Sequence, residues 1–327
     1  INGSNYPTQY TYDDFGRIKT TTHPSGYGVV NEYNSLGYLS QIRTMDNALL
    51  WQTDNTNALG LLTEYQTGNR LATTLSYEPV TKRLSSIMTA QPGYSPVQDL
   101  GYTWYEVGNL KERSCNKYNL LEYFTYDNLN RLETISLNGT VRGEHKYDPG
   151  GLGNLAYKKA DGHVLFDNAE YGENQAGPHA LTYAETTPGI FPPEVQTMVY
   201  NAYDKVTSII EGNKTLQISY GHHRQRITQQ YTQGSHSINK VWAGACEFIT
   251  ENGQQKTLTY LSGPGGVFAL HVINHQTAGQ NLYYIHTDHL GSWHTITDEY
   301  GNLLQELSFD AWGNRRNPAT WRAFTGT

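Results

Sequence analysis

Charge and aliphatic side chains are both scarce in this 327-residue chain. Charged residues make up 16%, against about 25% in an ordinary globular chain. Apolar residues are modest at 37%, and the mean hydropathy is −0.62. A chain short of both is disordered or repetitive. The 26 tyrosines exclude disorder, because disordered segments are poor in aromatics. Two cysteines, Cys115 and Cys246, cannot build a disulfide framework. They read as isolated thiols, although one bridge stays open, and the redox compartment with it. No run approaches the roughly 18 apolar residues of a transmembrane helix; the longest, Val267 to Ile273, has the length of a strand. A formal charge of −7 offers no electrostatic ground for nucleic acid or an anionic membrane. Helical periodicity is also missing, and glycine and proline are scattered at turn spacing. There is no G-x-S-x-G elbow, P-loop or H-E-x-x-H. Gly263-Pro264-Gly265-Gly266 lacks a phosphate-binding lysine and reads as a loop. No secretory leader is visible, the first residue is Ile1, and the chain stops after Phe324-Thr325-Gly326-Thr327. The expectation is a piece of something longer, without its own signal peptide.

What is present is a period. Tyr12-Asp13-Asp14-Phe15-Gly16-Arg17-Ile18 sets the unit: an aromatic, three variable residues, Gly or Asn, one residue, an aliphatic. Tyr33 to Leu39 repeats it with Gly37, Tyr126 to Leu132 with Asn130, and Tyr200 to Val206 with Asp204 in that slot. Trp104 to Leu110 leads with tryptophan, and Phe309 to Arg315 keeps all but the final aliphatic. Tyr77 to Leu84, Tyr147 to Leu155 and Tyr220 to Ile227 are longer copies; Thr56 to Leu62 and Thr297 to Leu303 lack the aromatic. Gly or Asn supplies the positive φ of a tight turn. The flanks alternate at period two, as in Leu216, Ile218 and Tyr220 against Gln217 and Ser219, which is strand periodicity. The fold class is therefore all-β, an array of antiparallel β-hairpins forming a curved or spiralling sheet. Such a sheet is expected to be wet on both faces, with tyrosine pairs in place of a leucine core. Its open ends should expose strand edges. The period breaks between Tyr147 and Tyr200, where Pro188 to Pro193 is proline-rich, so an irregular insertion is placed at about 156–199.

These units resemble the YD repeats of the Rhs family, which includes the C component of Tc toxins and the teneurins. The most specific stretch is Tyr283 to Ser292, carrying Asp288-His289-Leu290-Gly291, then Asp298-Glu299-Tyr300-Gly301, then Phe309-Asp310-Ala311-Trp312-Gly313. It resembles the start of the Rhs-associated core, a DHLGS-type turn followed by D-x-x-G and Y-x-x-[FW]-G turns. Ala176-Gly177-Pro178-His179-Ala180 is also common in such proteins. The likeness covers nearly the whole chain and implies a YD-repeat shell over 1–280 and a truncated core over 281–327. It further implies a secreted or surface-delivered bacterial protein whose shell encloses a C-terminal toxin domain absent from this chain. The partners implied are the flanking repeats, the core and that cargo. Family members release cargo through aspartates in a later DP-x-G-type segment, expected beyond Thr327; Asp148-Pro149-Gly150 lies inside an ordinary repeat. No catalytic residue is carried over, and the chain is read as non-enzymatic, without cofactor.

Each group that could carry chemistry also has a plain structural role. His286, Asp288, His289 and His294 form the one cluster suggestive of metal, yet on a strand and turn they supply at most three ligands. Turn and cross-strand hydrogen bonding is the preferred reading, so no metal is assigned. His222-His223 reads as an exposed turn. Asp13-Asp14 and Asp298-Glu299 could suggest acid–base work on sugars, but both fall in repeat turns, where aspartate is favoured. Exposed tyrosine rows could stack on sugar rings, which makes an adhesion or glycan-binding module the alternative function. Sequons at Asn2, Asn138 and Asn213 matter only in a eukaryotic secretory route.

Overall fold

The computed structural model describes residues 5–148, 150, 152–173, 177–189 and 195–324. Among them all regular structure is β-strand except one 3-10 turn at Asn116–Tyr118. Among the described residues no helix is long and apolar enough to cross a membrane. Sixteen strands, from Gln9–Tyr12 to Leu181–Glu185, are neighbours in the order of the chain. A second run of eleven extends from Gln196–Tyr200 to Leu303–Glu306, and Ser308–Phe309 pairs with Arg315–Arg316. The ladders are antiparallel hairpins, as the alternating pattern predicts.

Two kinds of turn alternate along the chain. At the repeat turn Tyr12 faces Ile18, Tyr33 faces Leu39, Tyr126 faces Leu132 and Tyr200 faces Val206. The register shifts one pair earlier in each case. That shift is the bulge expected when a type I turn is followed by a left-handed residue. The opposite hairpin ends include two-residue turns at Asn138-Gly139, Asp161-Gly162 and Asn252-Gly253, all with positive φ. Only the mirror-image type I′ turn uses that geometry, and Asn-Gly and Asp-Gly are its preferred pairs.

The interval 156–199, expected to be irregular, contains the paired strands His163–Tyr171 and Leu181–Glu185. Residues 190–194 of the proline-rich stretch lie outside the described residues, as do Asn2, Pro149, Ala176 and residues 325–327. The boundary expected at 280/281 falls within strand Gly279–Thr287. The chain forms two compact units. The first comprises Ile1–Thr74, Thr89–Ser95 and Glu194–Gln305; the second comprises Leu75–Met88, Pro96–Pro193 and Glu306–Thr327. Residues 281–305 thus belong to the first unit and the stretch from 306 to the second.

In the first unit Val29, Ile42, Leu50 and Trp51 of the early strands pack with Leu261, Phe268, Ala269 and Tyr284 of the late ones. Buried Asn69 reinforces this contact, its Nδ2 donating to Thr297 Oγ1 and to the Asp298 carbonyl, each at 2.9 Å. Gly68 allows the close approach. A β-carbon there would lie 2.0 Å from the Leu49 carbonyl oxygen and 2.5 Å from the Tyr284 hydroxyl.

In the second unit Ile87, Leu100, Tyr102, Cys115, Leu120, Leu137 and Trp321 form the core. Each unit therefore buries an apolar face, and the expected sheet with water on both sides and tyrosine in place of a core is corrected. The low aliphatic content has a different origin: Thr67, Thr73, Thr89, Thr259, Thr295 and Thr297 are among the fully buried residues. Threonine has the β-branched shape that strands favour, and its hydroxyl can be satisfied in place, as in Thr73 with Thr89 at 2.9 Å. Cys115 and Cys246 are buried free thiols, one in each unit.

A buried charge cluster fastens the last segment of the second unit. Glu122, 3% exposed, accepts from Arg113 Nε at 2.6 Å and from both terminal nitrogens of Arg316. Lys117 meets Glu306 at 2.8 Å, and Arg113 Nη2 donates to the Phe309 carbonyl at 2.8 Å. Burial alone would raise the Glu122 pKa, but the two guanidiniums outweigh it and hold the carboxyl below its ordinary value of 4.5. Removing one partner from such a cluster strands buried charge, which costs about 3–5 kcal/mol. Glu122→Gln should therefore destabilise the second unit by that order, read as a lower urea midpoint. Because the native pKa is depressed, the stabilisation is complete above pH 4.5 and is lost as pH falls through the native value. Denaturation midpoints measured from about pH 6 down to about pH 2 should fall further in the wild-type chain than in Glu122→Gln, since the other depressed carboxyls are common to both.

Candidate functional site

The feature that recurs along the chain is the repeat turn, and its geometry is nearly invariant. Asp13 Oδ1 accepts from the backbone N–H groups of Phe15 and Arg17, both at 2.9 Å. Asp127 treats Leu129 and Arg131 identically, at 2.9 Å each. Asn34, Asn57 and Asn201 do the same with neutral side chains. Asx residues are favoured at turns because their oxygen can satisfy N–H groups the turn leaves free. Gly16, Gly37, Asn130 and Asp204 occupy the left-handed slot, at φ of 76°, 85°, 60° and 56°. Hydrogen bonds from the Arg131 backbone and guanidinium hold the Asp127 carboxyl below its ordinary 3.8.

In six units the opening aromatic reaches back to the unit before it. Tyr33 Oη donates to the Ile18 carbonyl at 2.9 Å, Tyr126 to Leu110 at 2.9 Å, Tyr147 to Leu132 at 2.9 Å and Tyr220 to Val206 at 2.7 Å. Trp104 does this with its indole N–H, donating to Leu84 at 2.7 Å. In every case the acceptor is the aliphatic residue that closes the preceding turn. Where the residue before that aliphatic is arginine, a second contact adds to the latch. Arg17 binds Asp13 at 2.7 Å and lies 4.3 Å from the Tyr33 ring centroid; Arg131 binds Asp127 at 2.7 Å and lies 4.4 Å from that of Tyr147. Tyr12 and Tyr200 stand in the first described strands of their runs and are 59% and 51% exposed.

Tyr171 is a unit opener that sequence reasoning missed. It faces Leu181, and its hydroxyl donates to the Leu155 carbonyl at 2.7 Å. The signal was its place 24 residues after Tyr147, followed by Gly172; the delayed aliphatic hid it. The Gly177-Pro178-His179-Ala180 segment bonds to the preceding turn, with Asn154 Nδ2 donating to the Pro178 carbonyl at 2.9 Å and Asn154 Oδ1 2.7 Å from His179 Nδ1.

The Asp288–Gly313 stretch continues the same turns. Asp288 Oδ1 accepts from Leu290 and Ser292, Asp298 from Tyr300 and Asn302, and Asp310 from Trp312 and Asn314. Gly291, Gly301 and Gly313 lie at φ of 81°, 86° and 82°. His289 and Leu290 occupy the turn between Asp288 and Gly291, with Leu290 76% exposed. Asp288, Gly291 and Gly301 sit in the first unit, Trp312 and Gly313 in the second. His286 is fully buried and bonds Thr297 Oγ1 at 3.1 Å; His294 Nδ1 lies 2.8 Å from Thr295 Oγ1. Burial and then the proximity of His294 push the His286 pKa down to about 3. Among the described residues no three His, Cys, Asp or Glu side chains converge as a metal site.

If the latch holds neighbouring units in register, Tyr147→Phe should cost about 0.5–1.5 kcal/mol, the net worth of one hydrogen bond. The ring is retained, so packing against Arg131 survives. Equal denaturation midpoints for the two proteins would show that the hydroxyl contributes nothing.

No family model and no curated protein matches the sequence. Solved structures do match. The TcdB2-TccC3-TEV crystal structure aligns with 97% of this chain at 17% identity and a TM-score of 0.78. The TcdB2-TccC3 crystal structure aligns with 97% at 17% identity and 0.77, and a Tc holotoxin pore of Photorhabdus luminescens with a substituted TccC3 aligns with 97% at 18% and 0.77. The chain spans 18%, 19% and 18% of those chains, respectively. The fold is thus that of an Rhs/YD-repeat shell.

Proposed function

We propose that this chain is a wall segment of a larger secreted or surface-delivered bacterial protein of the Rhs family, built to enclose a toxic C-terminal domain that the chain does not include. The observation that carries this reading is the likeness to TcdB2-TccC3 chains over 97% of the residues. The repeat turns support it. Their side chains are spent on local hydrogen bonds, so the chain acts by shape and pairing and performs no reaction of its own. Its partners are the flanking repeats, the remainder of the core and the cargo of the same polypeptide. In the full-length protein, limited proteolysis should leave the cargo domain intact while the shell is folded, and digest it once the shell is unfolded in urea. A cargo domain cut equally fast in both states, or a full-length chain with no further domain, would sink the proposal.

A second reading is a glycan-binding surface. It is favoured by the tyrosines that the latch leaves exposed, Tyr10, Tyr12, Tyr38, Tyr94, Tyr183, Tyr200, Tyr203 and Tyr300. Aromatic faces on the surface can stack on apolar faces of ligands. A glycan array should show retention of some sugar by the wild-type chain and loss with Tyr12→Ala or Tyr200→Ala; no retention at all rules this reading out.

A further inference from the structure

We propose that a cavity within the second unit is a binding site for a small organic carboxylate with an aromatic or alkyl body. The cavity has a volume of about 480 Å³, inside the range of roughly 300–1,000 Å³ typical of small-molecule sites. Its apolar wall is made by Ile135, Leu137, Leu165, Trp312 and Trp321. Such sites combine an apolar body with a few polar groups that fix orientation, and here those groups include the cationic Arg142, Lys158 and Arg315 beside the acids Glu122, Asp161 and Asp310.

Arg142, Lys158 and Arg315 line the cavity, and among the described residues none of them forms an ion pair. The neighbouring acids are already engaged. Glu122 is held by Arg113 and Arg316, and Asp310 accepts from Trp312 N, Asn314 N and Asn314 Nδ2. Asp161 Oδ2 accepts from the Ala323 N–H at 3.1 Å. The Lys158 ammonium lies 4.7 Å from the Trp312 ring centroid, and burial lowers its pKa. Asp310 offsets that burial only in part, and a desolvated cation favours an anion beside it.

Two buried donors on the lining point the same way. The Trp321 indole N–H and the Arg142 Nε–H have no acceptor, although buried donors are paired in the great majority of cases. Trp321 is 6% exposed and holds φ at 54°, a conformation that bulky residues rarely adopt. The guanidinium carbons of Arg113 and Arg316 lie 5.3 and 4.6 Å from its ring. Backbone strain of this sort clusters at ligand clamps. Trp312 is set in place too, its Nε1 donating to His145 Nε2 at 2.8 Å. Burial pushes the His145 pKa down to about 4, so this histidine is the neutral acceptor at neutral pH.

The test compares phenylacetate with phenethylamine, matched in ring and opposite in charge, by calorimetric titration of the 327-residue chain. Phenylacetate should bind with a dissociation constant of about 1 mM or tighter, and the amine at least about tenfold more weakly. Lys158→Gln should weaken phenylacetate about tenfold, and Lys158→Arg should restore most of the affinity. Arg142→Gln is the second variant, on a different strand, should the first fail to fold; it should weaken phenylacetate likewise. Equal affinity for acid and amine, undiminished affinity in both charge-removing variants, or no phenylacetate binding at about 10 mM would overturn the proposal. The site stands independently of the shell reading, and neither test can decide the other.

Discussion

The structure depends on one short piece of chemistry: a side-chain carbonyl or carboxylate oxygen that accepts the backbone N–H groups two and four residues ahead. Asp13, Asn34, Asp127, Asn201 and Asp288 all make this contact. It closes a turn whose next constraint is a residue with positive φ, supplied by Gly16, Gly37, Asn130, Asp204 and Gly291. Once the turn is closed, the register of the two strands is set, and with it the face each side chain occupies. The tyrosine at the end of the outgoing strand is then placed to reach the carbonyl that ends the preceding unit. Each bond is worth only about 1 kcal/mol, so the array gains its stability from repetition, unit by unit.

What lies beneath the turns is less uniform. The first unit packs aliphatic and aromatic residues against Tyr284 and bridges them with Asn69. The second builds its core around Leu100, Leu120 and Trp321 and closes it with Glu122 between Arg113 and Arg316. The turn chemistry is specified at a few positions per unit, while the core tolerates any side chains that fill it.

The repeat turns were legible because their chemistry is local. Tyr12, Tyr33 and Tyr126, with their Gly or Asn partners, stand where the period places them. Tyr171 was missed because an insertion separates it from Leu181, and a fixed spacing cannot follow an insertion. Trp312 was recognised as a motif residue, but its partner His145 is 167 residues away in sequence. Glu122 left no signal, since an Arg–Glu pair at Arg113 and Glu122 looks like any exposed cross-strand pair until Arg316 arrives from the chain end.

By itself, the sequence determined the strands, the turns and the period, because a turn's hydrogen bonds and its positive φ involve residues no more than four apart. Burial, the division into two units and the cationic cavity were decided only by tertiary structure. These join residues far apart in the chain, such as Asn69 with Thr297 and Glu122 with Arg316. Contacts across such separations leave no periodic trace. The expectation of a sheet wet on both faces failed for this reason: the composition was short of leucine, and only the packed structure showed an apolar core with threonines buried beside it.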